Sequence, residues 1–296
     1  MLDPVNFEPH EILVPPLTLP DGAASEFEAL WQRHSGGTGG WIDYSLRFPK
    51  SLFLRWLVEN EGYLLHGTGN DSIETFEPRT QTDVAQRSLR AVFAASDGIW
   101  PMYFAITNRA GRRGSLRNGC ERAADGSRIY YFSINASWFE TDPWSDGVVY
   151  VLPSEGFHRC TEPDGTCTEE WVNESAVTPI ARLRVAPTDF PFLERVTGHD
   201  DTEIFAFADA MEAAVKSAER VTRLEDEWLL EFTPTAECVD ELADLCRLAW
   251  RSIVIADLTV ALECRSSEGP VRMRVTRSTV VDAAISEWRD GVEVGP

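Results

Sequence analysis

The chain has 296 residues, of which 43% are hydrophobic, and its 48 acidic side chains outnumber 27 basic ones to give a formal net charge of −21. That hydrophobic content is ordinary for a globular protein and the length allows a sizeable core, which argues against a disordered chain. A surface field of this sign repels nucleic acid and anionic membranes as a whole, so it fits solubility or a basic protein partner better than a general coating role on either.

No apolar stretch approaches the length of a membrane span, and Met1–Ile12 lacks a basic-then-apolar leader pattern. The expectation is a cytoplasmic protein with no membrane partner. Positive charge is nearly all arginine, Lys50 and Lys216 being the two lysines. The six cysteines show no Cys-x-x-Cys spacing, so no metal is expected. Cys160 and Cys167 flank the turn sequence Glu162-Pro163-Asp164-Gly165 and could face each other across a hairpin, as thiols in a reducing compartment.

In chain order, residues 1–22 are proline-rich and read as extended. Ala24–Arg33 is a short helix, and the glycine-rich run Ser35–Gly40 reads as a flexible link because it lacks the Lys-Ser/Thr ending of a phosphate loop. Leu52, Phe53, Leu57 and Val58 recur at helical spacing within Pro49–Glu59. A short apolar run from Gly62 then ends in His66-Gly67-Thr68-Gly69, which reads as a strand delivering a histidine to a glycine turn. A second strand, Ala91–Ala95, is followed by the break Ser96-Asp97-Gly98 and an aromatic-rich helix over Ile99–Ile106. Strand, turn and helix together predict a cleft.

The stretch Asn108–Arg122 holds five arginines and reads as a loop, a positive patch suited either to solvent or to gripping pyrophosphate or another anion. Ile129–Ile134 and Gly147–Leu152 read as strands separated by a turn at Pro143–Gly147. Pro187–Leu193 looks like a boundary. Beyond it the pattern predicts helices over Thr202–Thr222 and Val239–Trp250, a strand at Trp228–Phe232, a hairpin of Ile253–Glu263 with Val271–Val275, and a closing helix over Val280–Arg289. The whole reads as α+β, with no chemistry motif in the last third.

Three separated blocks resemble the ADP-ribosyltransferase superfamily in family order. Leu64-Leu65-His66-Gly67-Thr68 is similar to its first signature, an apolar strand ending in His-Gly-Ser or His-Gly-Thr. Val92-Phe93-Ala94-Ala95-Ser96-Asp97 is similar to the Tyr-Phe-Ala-Asp strand of poly(ADP-ribose) polymerase-like members, in which another aromatic follows about three helical turns on; Phe104 lies eleven residues after Phe93. Glu169-Glu170-Trp171-Val172, with Val177-Thr178-Pro179 leading into a final strand, resembles the late hairpin in which a glutamate precedes an aromatic.

The resemblance implies a split β-sheet core flanked by helices over residues 46–195, with residues 1–45 as an N-terminal extension and residues 196–296 as a smaller α+β region. It also implies NAD as co-substrate and no metal. Glu170, or else Glu169, would hydrogen-bond the nicotinamide ribose; adjacent strand residues point to opposite faces, so one of the two enters the cleft. His66 would bond the adenosine ribose, with Thr68 beside it, and the backbone of Gly67 would hold the carboxamide. Phe93 and Phe104 would sandwich nicotinamide, with Tyr103 as a substitute for Phe104.

Phenylalanine stands at both aromatic positions where polymerases usually have tyrosine, and Pro101 falls where they often carry a small hydroxyl residue. Transfer of a single ADP-ribose is therefore the expectation, to a protein, nucleic acid or small molecule. Water as acceptor would make an NAD glycohydrolase, and 2'-phosphate transfer from RNA to NAD is a related branch. Two further classes stay open. A non-catalytic NAD or ADP-ribose reader gains if both glutamates face solvent, and a protein-interaction module on a degenerate fold gains if the cleft is filled by its own side chains.

Overall fold

A computed structural model of the chain describes residues 11–82, 88–161, 167–224, 227–251, 260–264, 270–276, 281, 285 and 293–294. Outside these lie the first ten residues, the turn between Cys160 and Cys167, the first part of the expected strand at Ile253–Glu263, the turn before Val271 and most of the expected closing helix. The chain is α+β and divides into two compact units at Asp200/Asp201.

In the first unit the elements are β1 (Ile12–Val14), α1 (Ala23–Gln32), β2 (Gly40–Trp41), α2 (Lys50–Glu61), β3 (Leu64–Thr68), β4 (Arg79–Thr82) and β5 (Ser88–Ala95). There follow α3 (Trp100–Ile106), β6 (Leu116–Arg122), β7 (Arg128–Asn135), β8 (Gly147–Leu152), β9 (His158–Thr161), β10 (Cys167–Asn173), β11 (Ala181–Val185) and β12 (Thr197–His199). The larger sheet runs β2-β11-β8-β3-β5-β10-β9, with β4 also on β5. In the second sheet β6 lines one edge of β7, while β1 and β12 share the other, pairing with residues 128–130 and 133–135 respectively.

Residues 11–45 are integral to this unit. Helix α1 buries Ala23, Phe27, Leu30 and Trp31, one face at helical spacing, and Phe27 meets the rings of Phe48, Phe53 and Trp56 at 5.4–5.9 Å. The run read as a flexible link instead ends in β2, which pairs in parallel with β11. Helix α2 stops at Gly62, whose φ of 72° is the left-handed C-terminal cap that favours glycine, and the chain turns directly into β3.

The arginine-rich stretch is likewise only partly a loop. Its second half is β6, seven residues paired in full register with β7. Asn, Gly and Glu are poor strand formers, but pairing along the Ile-Tyr-Tyr-Phe sequence of β7 overrides local preference. Cys160 and Cys167 lie on the paired strands β9 and β10, but Cys167 is opposite Thr161; Cys160 is buried, Cys167 exposed, and both are free thiols.

The second unit contains α4 (Thr202–Ser217), β13 (Arg220–Arg223), β14 (Glu227–Phe232), α5 (Ala236–Arg251), β15 (Val260–Glu263), β16 (Val271–Thr276) and β17 (Glu293–Val294). Its sheet order is β15-β16-β14-β13-β17, and α4 and α5 pack together. The long helix expected over Thr202–Thr222 ends at Ser217 because Val221 joins the sheet, opposite Leu230. Its core is its own, built from Phe207, Met211, Trp228, Leu230, Leu245 and Met273. No helix among the described residues is long and apolar enough to cross a membrane.

Candidate functional site

Helix α3 sits between the two sheets of the first unit, and two glycines set how closely. A Cβ on Gly67 would lie 1.7 Å from the Pro101 carbonyl oxygen, and one on Gly147 would lie 1.9 Å from that of Ala105. The helix backbone therefore rests directly on β3 and β8, which only glycine permits at those points. Asp97 caps the helix start, its Oδ1 accepting from the backbone N–H groups of Ile99 (2.8 Å) and Trp100 (2.7 Å).

Between α3 and the strands β3, β5 and β10 opens a cleft of about 710 Å³, within the range of small-molecule sites. Leu65, His66, Gly67 and Thr68 line it from β3; Phe93, Ala94 and Ala95 from β5; Trp100, Pro101 and Phe104 from α3; and Glu170 from β10. Residues from three blocks that lie up to about a hundred positions apart in the sequence thus share one space. Phe93 and Phe104 both line it. Gln81, Asn70 and Trp100 also line it, and nothing in local sequence patterning marks them.

His66 is held from two sides. Its ring lies 4.7 Å from that of Phe76, and Nδ1 is 2.7 Å from the Phe93 carbonyl oxygen. A carbonyl only accepts, so Nδ1 carries the proton and donates; in the neutral ring Nε2 is then the acceptor. Burial lowers the His66 pKa from the ordinary 6.5, against the opposing pull of the Phe93 carbonyl, and the positive charge of Arg79 lowers it further. The unfolded chain therefore binds a proton before the folded one does, and His66 costs stability as pH falls below 6.5. Denaturation midpoints measured at pH 7.5 and 5.5 should differ more for the native chain than for His66→Gln, whose side chain does not titrate.

No known protein family, curated protein or solved structure matches the chain.

The two adjacent glutamates have different surroundings. Between Cys167 and Trp171 the register of β10 against β9 shifts, an irregularity of the kind that re-aims side chains. Glu170 pairs with Ala95, is 8% exposed and lines the cleft. Glu169 is 1% exposed and lies among three arginines from three strands: Arg122 Nε at 2.8 Å, Arg159 Nη2 at 2.6 Å and Arg128 Nη2 at 3.6 Å. Ser96 adds a hydroxyl bond at 2.7 Å.

Burial alone would raise the Glu169 pKa, but the bonds from Arg122 and Ser96 and the charges of Arg128 and Arg122 outweigh it and hold the carboxyl below its usual range. Arg128 continues the network to Asp97 at 3.3 Å, which also accepts from the Tyr130 hydroxyl at 2.7 Å. Thus the second candidate glutamate, Glu169, does not line the cleft and ties β10 to β6, β7, β9 and the residue that follows β5.

Tyr103 also lies elsewhere. A turn of about 100° per residue separates it from Phe104, and it is fully buried, its hydroxyl donating to the Ser133 carbonyl at 2.9 Å and its ring packed on Phe132 at 4.8 Å. Of the five arginines between residues 109 and 122, Arg112 bonds the Trp138 and Asp142 carbonyls and the Thr141 hydroxyl, Arg117 bonds the Asp200 carbonyl, and Arg122 bonds Glu169. Arg113 is exposed outside the cleft, and Arg109 lines it.

Proposed function

We propose that the first unit is an ADP-ribosyltransferase-like domain that cleaves the nicotinamide–ribose bond of NAD and transfers a single ADP-ribose. The observation that carries this reading is the convergence of His66, Gly67, Phe93, Phe104 and Glu170 on one cleft. Residues from three separated motifs line one pocket, and that convergence supports reading the motifs together. Solvent-facing glutamates would favour a reader, and a filled cleft would favour a degenerate scaffold. Both glutamates are buried, and the cleft is open.

The chemistry fits the side chains. When the C1'–N1 bond breaks, the electron pair leaves with nicotinamide, whose cationic ring becomes neutral, so no general acid is required. The difficulty lies in the positive charge left on the ribose, and a carboxylate beside it lowers that barrier as in glycosidases. Glu170 supplies that carboxylate, and its burial strengthens the attraction. Phe93 and Phe104 offer aromatic faces to the flat cationic ring. His66, with Nε2 as an acceptor, suits a ribose hydroxyl. The acceptor nucleophile bonds C1' and releases its proton to solvent; a protein, nucleic acid or small molecule would serve, and water would make the reaction a glycohydrolysis.

Nicotinamide release from NAD by the purified full chain tests this reading. Glu170→Ala should lower the rate by at least about a hundredfold, and His66→Ala should raise the NAD concentration needed for half-maximal rate. Release unaffected by Glu170→Ala, or no release and no NAD binding, would overturn it.

A further inference from the structure

We infer that Arg109 is the residue that grips the diphosphate of the dinucleotide, an inference that rests on the NAD reading of the same cleft. Among the described residues that line the cleft, Glu170 is the one carboxylate and Arg109 the one lysine or arginine. Their places in the fold set them apart. Glu170 pairs with Ala95, which pairs with Leu65 near the start of β3. Arg109 follows α3 on a rim stitched to the β8 end of the cleft: the Asn108 N–H donates to the Pro143 carbonyl (2.8 Å), and the Ser145 N–H donates to that of Ile106 (2.9 Å). The start of β8 lies opposite the far end of β3, where Thr68 pairs with Val148. Leu65 and Thr68 are about 10 Å apart along a strand.

A nicotinamide dinucleotide presents the same alternation in reverse, a cationic ring and its ribose at one end and an anionic diphosphate further along. Glu170 matches the first and Arg109 the second. The backbone of Arg109 is anchored, its carbonyl accepting from the Arg112 N–H at 3.2 Å, while its side chain is exposed and makes no ion pair among the described residues. Three of the other four arginines of the stretch are committed to protein carbonyls or to Glu169, and Arg113 lies outside the cleft. On a chain of net charge −21 a cation at a cleft mouth is also the feature that lets an anionic ligand enter.

Calorimetric titration of the full chain with ADP-ribose and with adenosine separates the phosphate contact from the rest. Arg109→Ala should weaken ADP-ribose binding by about ten- to a hundredfold, the worth of a hydrogen bond to a charged group, and leave adenosine binding unchanged. Arg109→Lys should recover part of the loss, and Arg113→Ala, in the same stretch but outside the cleft, should bind both ligands as the native chain does. Equal ADP-ribose affinity in Arg109→Ala, an equal loss for adenosine, or an equal loss in Arg113→Ala would overturn the assignment of Arg109 and leave the NAD reading standing. Absence of both ADP-ribose and NAD binding in the native chain would overturn the two together.

Discussion

Glu169→Ala is expected to cost about 3–5 kcal/mol of folding stability, the penalty for stripping a buried charge of its partner. The loss centres on Arg128. Its side chain is 2% exposed, and among the described residues its Nη2 has no hydrogen bond and Asp97 is the one carboxylate it would retain without Glu169. Arg122 and Arg159, with side chains 42% and 31% exposed, can turn toward water and contribute less.

Urea denaturation monitored by tryptophan fluorescence would measure the change, and a cost below about 1 kcal/mol, the worth of a surface ion pair, would show that the cluster is not structurally important. The same carboxylate predicts acid lability. Its folded pKa lies below the ordinary 4.5, so its contribution is present above that value and is lost as pH falls through the lower folded one. The His66 effect begins two pH units higher, which keeps the windows distinct.

Gly67→Ala should be at least as damaging, by about 4 kcal/mol or more, the range reserved for strain that packing cannot absorb. The added carbon would sit 1.7 Å from the Pro101 carbonyl oxygen, 2.6 Å from its carbon and 3.1 Å from the Ala105 nitrogen. All three are main-chain atoms, so no rotamer change relieves the clash; α3 must lift from β3 and lose its packing. Gly69 lines the same cleft with nothing within 4 Å of an added Cβ, so Gly69→Ala should be close to neutral in the same denaturation experiment. Equal stability of the two variants would mean that the helix does not sit on the strand as described.

The contrast between the glutamates marks where sequence reading stops. Strand alternation alone says that one of Glu169 and Glu170 enters the cleft. It cannot say which, because the decision lies with Arg122, Arg128 and Arg159, brought together from three other strands, and with a local irregularity in β10. Tyr103 and Phe104 pose the same problem on a helix, where one position of rotation exchanges cleft for core.

Elements with strong local periodicity, such as α2, β3, β8 and β14, are legible within a few residues. Those that depend on distant partners are not: β2 is a strand because β11 lies beside it, and β6 because β7 does. Gly67 was legible as a glycine with a purpose, but the helix backbone it accommodates is more than thirty residues away in sequence.

The direct seating of α3 on β3 and β8 has a consequence for how the cleft can change. At Gly67 and Gly147 the helix and the strands meet backbone to backbone, with no side chain between them whose size could set their separation. Change in the shape of the cleft is therefore channelled into the side chains that protrude into it. Positions 93, 101 and 104 are the dials, and the helix that carries two of them is the fixed rail.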